Sequence, residues 1–166
     1  NFVRPTRGAG CRTCWRCRDC TSAWRQPFAE RVWKKSASAG AQYIISPDVN
    51  VDVIHRTREL GLVSLPGAMT PTEIVQAAQW GASVVKGFPA GNLGPDYIKA
   101  VRGPLDHIPL CAVGGVDHNN LEEFHRAGVT CFGVGSNIVR KELLAAGNYA
   151  AIRENAMLYT EQAETW

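Results

Sequence analysis

The chain has 166 residues, 45% of them hydrophobic and 20% charged, which excludes a wholly disordered chain and leaves room for a single domain with or without a tail. No apolar run approaches the ~20 residues of a membrane helix, and no signal peptide opens the chain, so neither a membrane nor a secretory route is expected. The net charge of +3 conceals two regions: residues 1–38 hold nine basic and two acidic residues, a net +7, while residues 39–166 hold nine basic and thirteen acidic residues, a net −4.

The leader, residues 1–38, is rich in Arg, Cys and Trp and shows no clear helical or strand period. Cys11, Cys14, Cys17 and Cys20 are spaced C-x2-C-x2-C-x2-C. That spacing resembles a bacterial ferredoxin run, but the last gap is short and the following Pro is missing. Four thiolates also suit zinc, although structural zinc sites usually hold two separated pairs. Three readings stand: a non-native, mis-joined or out-of-frame segment, a disordered or ad hoc packed segment, and a metal or cluster site. Basic residues beside Trp suggest nucleic acid, but no binding module is recognisable, and no nucleic-acid partner is expected.

From residue 39 onward the pattern becomes regular. Short apolar runs begin at Gln42, Leu62, Ser83, Ile108 and Thr130 and end at Ser46, Leu65, Phe88, Val113 and Val134. They show little alternation, as strands covered on both faces do. Helices are predicted between them. The first spans 51–60, capped by Asp48 or Asn50. The second spans 71–80, with Thr70 as cap, Pro71 at the first position and Glu73 in the first turn. Further helices are expected over 95–102, 119–127, 137–145 and 148–163. Strand and helix alternating about every 20 residues give βαβ units. The unusual residues gather where each strand meets its following loop, the catalytic face of a (β/α)8 barrel. A doubly wound open sheet is the alternative, since its ligands also sit at strand C-termini.

Lys86 stands in the apolar run Ser83-Val84-Val85-Lys86-Gly87-Phe88-Pro89. An amine desolvated by apolar walls loses its proton more readily and becomes a nucleophile for a carbonyl. The alternative is a lysine whose head snorkels to water. Gly114-Gly115, and Gly135-Ser136 one repeat later, suit backbone approach to a phosphate, with Ser136 opening the next helix. They also read as tight turns. Pro47, Pro66 and Phe88 are expected to shape the pocket, although Ser46-Pro47 and Pro66-Gly67 serve equally as turn punctuation. His55, His107, His118 and His125 show no ligand spacing and are expected on the surface or in loops. Cys111 and Cys131 read as small buried hydrophobes.

Together, Val85-Lys86-Gly87-Phe88-Pro89-Ala90, Gln42-Tyr43-Ile44-Ile45-Ser46-Pro47, Leu65-Pro66-Gly67, Cys111-Ala112-Val113-Gly114-Gly115-Val116 and Val134-Gly135-Ser136 resemble, in order and spacing, the 2-keto-3-deoxy-6-phosphogluconate / 4-hydroxy-2-oxoglutarate aldolase family. The resemblance runs from about Ala39 to Ala163. It implies a TIM (β/α)8 barrel represented here by strands four to eight, with 39–166 as a partial barrel domain behind a non-matching leader. It implies a class I lyase in which Lys86 forms a Schiff base with a 2-keto-3-deoxy-6-phospho sugar acid, yielding pyruvate and glyceraldehyde 3-phosphate as in the Entner-Doudoroff pathway. Gly114, Gly115, Gly135 and Ser136 would hold the phosphate, and Pro66 and Phe88 would pack at the pyruvyl end. No cofactor or metal is implied, and a homotrimer is; separately, six cysteines without a secretory signal fit a cytoplasmic protein. Val113 stands where many gluconate-type members carry Thr. That detail, with Gly94-Pro95-Asp96-Tyr97-Ile98-Lys99-Ala100, is similar to the phosphogalactonate branch, and the epimer preference stays open. The family's catalytic Glu, on its second strand, has no counterpart in the leader. The expectation is therefore an N-terminally incomplete chain, with a catalytically impaired barrel fragment as the alternative to an active aldolase.

Overall fold

The computed structural model describes residues 2–3 and 40–166. The leader cysteines Cys11, Cys14, Cys17 and Cys20 lie outside the described residues, as does the rest of the leader apart from Phe2 and Val3. The strands are β1 (Phe2–Val3), β2 (Tyr43–Ile45), β3 (Val63–Leu65), β4 (Gly67–Ala68), β5 (Val85–Gly87), β6 (Leu110–Val113) and β7 (Cys131–Gly133). The helices are α1 (Val51–Glu59), α2 (Pro71–Gln79), α3 (Ala90–Arg102), α4 (Leu121–Arg126), α5 (Lys141–Ala145) and α6 (Tyr149–Glu164).

Strands β2 and β3 pair in parallel, as do β4, β5, β6 and β7 in turn, and with β3 and β4 as two halves of one strand this is the order of five consecutive units of a TIM-type barrel. The ladder breaks between β3 and β4 because Pro66 has no N–H to give. Its carbonyl still accepts from the Lys86 amide at 2.8 Å, and Ser64 accepts from the Ser83 and Val84 amides, so the sheet runs on across the break. Pro66-Gly67 is thus an interruption within a strand, and Gly67 pairs with Lys86. The leader contributes one ladder that its sequence does not announce: β1 runs antiparallel on β7, with Phe2 opposite Gly133. The outer edge of β7 is therefore paired.

The strand residues sort by parity, as a pleat requires. Leu110, Ala112, Phe132 and Val85 face outward and pack with Ile54, Ile74, Ala77, Ile98, Val101, Leu121 and Phe124 from the helices. Leu65, Cys111 and Val113 face inward with Tyr43, Ile45, Val84, Phe88 and Cys131. This separation also explains the weak alternation in sequence, since both faces are covered by apolar groups.

The helices begin where their caps place them. The Asn50 side chain accepts from the Asp52 and Val53 amides and so fixes the start of α1, leaving Asp48 free of that task. Thr70 and Glu73 form a capping box with Pro71 at the first helical position. The Met69 and Thr70 amides hold the Glu73 carboxyl below its usual value. Helix α3 starts at Ala90, five residues before the expected Pro95, with a kink at Gly94 (φ 78°) that Pro95 follows. Helix α5 starts at Lys141 rather than 137. Residues 136–138 form a turn closed by the Ile138 and Val139 amides on the Gly135 carbonyl, and Arg140 is extended. Three of the four histidines are exposed. His125 instead lies on α4 and stacks on Trp166 at 4.2 Å, so a loop position does not hold for it. No helix among the described residues is long and apolar enough to cross a membrane.

Candidate active site

Strand β5 places Lys86 at the centre of the sheet, with Gly67 and Cys111 as its Cα partners on either side. The parity that turns Val85 outward turns Lys86 inward, and its side chain is 0% exposed. It does not snorkel. The Nζ atom donates to the Ser46 carbonyl at 3.4 Å and lies 4.2 Å from the centroid of the Phe88 ring. Burial holds the Lys86 amine below the ordinary lysine value, and the nearby Cys111 and Asp48 oppose that only in part. The ring face near the amine favours the ammonium, in opposition to the desolvation that lowers the pKa.

The pocket around this amine requires small residues at close approaches. A Cβ on Gly67 would collide with the Pro47 carbonyl and come within 3.0 Å of the Ser46 carbonyl. Only glycine lets the loop after β2 close over β4 and bring the Ser46 carbonyl to Lys86. Pro66 is fully buried below it, while Pro47 is exposed at the rim. Ser46 itself is buried, and its hydroxyl donates to the Asp48 carbonyl at 2.9 Å.

Phe88 joins the amine to the glycine loop. Its ring lies 3.0 Å from where a Gly114 Cβ would stand. Gly114 (φ 82°) and Gly115 (φ 74°) both occupy the left-handed region that side chains rarely adopt. Gly91 at the start of α3 donates its amide to the Gly114 carbonyl at 2.7 Å, and a Gly91 Cβ would stand 2.7 Å from the Gly115 Cα. Because β6 and β7 are parallel neighbours, the Gly114-Gly115 and Gly135-Ser136 loops emerge side by side. The Asn137 amide donates to the Val116 carbonyl at 2.9 Å and ties them together. Gly135 and Ser136 are exposed. Ser136 opens a short turn and not a helix, so a helix N-terminus at this residue is not what faces the loop.

All the singled-out residues thus fall at one end of the sheet: Pro47, Pro66, Lys86 and Phe88 around the amine, and Gly114, Gly115, Gly135 and Ser136 in the adjoining loops. The sequence reading missed three supporting groups. The Ser46 carbonyl carries no side-chain signal. Gly91 falls before the expected helix start, although a glycine directly after Phe-Pro-Ala hints at a close approach. Asn137 was absorbed into a helix that starts later.

Two substitutions test this packing. Lys86→Met keeps the volume and removes the desolvated amine, so the variant is expected to be more stable than the parent at neutral pH, by about 1.4 kcal/mol for every tenfold by which burial disfavours the proton. A depressed lysine loses its proton in the folded chain first, so the parent gains stability as pH rises toward the unfolded value near ~10.4 and the gap closes. Urea titrations across pH check this; a variant less stable at neutral pH contradicts it. Gly91→Ala should cost about 1–3 kcal/mol by overpacking against Gly115, read from the urea midpoint.

The sequence model described as KDPG and KHG aldolase matches residues 28–155. A probable 2-dehydro-3-deoxy-6-phosphogalactonate aldolase of Rhizobium meliloti is 38% identical over 113 residues, covering 68% of this chain and 53% of that protein. A 2-dehydro-3-deoxy-phosphogluconate aldolase of Treponema pallidum is 34% identical over 122 residues, 72% of this chain and 57% of its own length. The chain therefore spans about half the length of the curated relatives it matches. Among solved structures, the native KDPGal structure superposes with a TM-score of 0.66 at 32% identity, over 82% of this chain and 66% of that one. The KDPG aldolase of Legionella pneumophila, with pyruvate captured as a covalent carbinolamine, gives 0.69 at 27% identity, over 78% and 62%. Matched over most of its length in sequence and in fold, the chain belongs to the KDPG and KHG aldolase family.

Proposed function

We propose that residues 39–166 are a partial barrel domain carrying the nucleophile and the phosphate loops of a class I aldolase, with a 2-keto-3-deoxy-6-phospho sugar acid as substrate. The observation that carries this reading is the fully buried Lys86 amine, lowered in pKa by its surroundings and set at the strand ends beside two glycine loops. The neutral amine adds to the C2 ketone, giving a carbinolamine that loses water to the iminium. The C4 hydroxyl then gives up its proton, C3–C4 breaks, and its electron pair flows into the iminium. Glyceraldehyde 3-phosphate leaves and an enamine remains. Protonation at C3 and addition of water release pyruvate and return the amine. Backbone amides around Gly114, Gly115, Gly135 and Ser136 hold the phosphate, as the mildly acidic body requires.

The galactonate-type substrate is favoured. The 2-dehydro-3-deoxy-6-phosphogalactonate aldolases of Rhizobium meliloti and Escherichia coli are 38% and 39% identical to this chain, against 34% for the phosphogluconate enzyme of Treponema pallidum. One observation favours a second reading. None of the described strands carries a glutamate, so the iminium forms while the proton transfers run slowly, at a cost on the order of 10²–10⁴ in rate.

Incubation with pyruvate and borohydride should leave a reduced adduct on the peptide containing Lys86, and none in Lys86→Met. An intact parent peptide after treatment overturns the Schiff-base role. Pyruvate release from the two phosphorylated epimers should then be faster for the galactonate form. An adduct without measurable release identifies the impaired reading.

A further inference from the structure

Two cysteines in the sheet interior have no part in the chemistry described above. Cys111 on β6 and Cys131 on β7 are Cα partners in the parallel ladder. Both belong to the inward-facing cluster, so their side chains leave the sheet on the same face. Neighbouring strands lie ~4.7–4.9 Å apart, within the ~4.4–6.8 Å between Cα atoms that a disulfide spans. Both are free thiols, and each belongs to the same packed cluster. Two thiols in register on one face of neighbouring strands are placed within the Cα separation a disulfide spans.

They differ in exposure. Cys131 is half-buried, whereas Cys111 is fully buried between β5 and β7, and burial together with the neighbouring thiol pushes its pKa well up. The more exposed Cys131 meets an oxidant first, and its ladder partner Cys111 is the sulfur placed to resolve it; the raised pKa slows that second step without changing the pairing.

We propose that Cys111 and Cys131 form a dithiol site that a peroxide oxidises to an inter-strand disulfide, one strand away from Lys86. The Cys131 sulfur attacks the peroxide, takes one oxygen to become a sulfenic acid, and the second oxygen leaves as water or alcohol. The Cys111 sulfur then displaces the hydroxyl group, the S–S bond forms, and the thiol proton leaves with that hydroxyl as water. The two sulfurs give up two electrons between them and one peroxide is reduced. Cys111 is also a Cα partner of Lys86, so the new bond lies beside the amine.

The test uses the reduced full chain treated with stoichiometric hydrogen peroxide, then denatured, alkylated, digested with trypsin and mapped by mass spectrometry. Cleavage at Arg126 separates the two cysteines into different peptides. The expected result is a joined pair of peptides lighter by two hydrogens, loss of alkylation at both positions, and full recovery after dithiothreitol. In Cys111→Ser, Cys131 should stall as a sulfenic acid that dimedone captures. Three results overturn the proposal: Cys131 advancing to sulfinic acid with Cys111 still alkylated, either cysteine joined chiefly to Cys11, Cys14, Cys17 or Cys20, or both thiols unchanged. The map reads sulfur alone, so its outcome is independent of whether Lys86 traps pyruvate.

Discussion

The site depends on keeping one amine out of water. Lys86 is fully buried in the middle of a parallel sheet, and a chain tolerates that only if the amine sheds its proton easily or finds partners. Both occur. Desolvation holds its pKa below the ordinary lysine value, and the Ser46 carbonyl and the Phe88 ring lie beside the head group. The same arrangement explains why glycine stands at 67. The loop after β2 must press directly onto β4 to deliver the Ser46 carbonyl, and no side chain fits between them.

A second set of contacts links this amine to the glycine loops. Phe88 packs on Gly114, and Gly91 packs on Gly115, so the loop after β5 and the loop after β6 fit as one unit. Asn137 extends the unit to the loop after β7. The proposed substrate, with a ketone at one end and a phosphate at the other, would need a fixed separation between the amine and the loop amides. Rigid contacts between backbones hold that separation better than flexible side chains.

Much of this was legible in the sequence. Continuous apolar runs at a regular spacing gave the parallel strands, and the Thr70-Pro71-Glu73 signature located α2 to the residue at its start. Lys86 stood out because a charged residue interrupts an apolar run. The parts that were not legible have physical causes. The strand at Gly67–Ala68 was hidden because Pro-Gly ordinarily reads as a turn, and only the neighbouring strand reveals that the pairing continues through it. The early start of α3 was hidden by Pro95, a residue that normally begins a helix and here restarts one after Gly94. Ser136 suggested a helix start because serine caps helices, but the chain turns first to bury Ile138 and reaches Lys141 extended. The pairing of β1 with β7 is a contact between residues about 130 apart, which no local pattern encodes.

Burial holds the Lys86 amine below the ordinary lysine value, which favours its neutral, nucleophilic form. The most direct test of this claim is an NMR titration of the Lys86 side chain in protein labelled at the lysine ε-carbon, assigned by its loss in Lys86→Met. The expected midpoint lies clearly below the ordinary lysine value of about 10.4, with the other lysines titrating near that value. A Lys86 midpoint at or above it would contradict the claim.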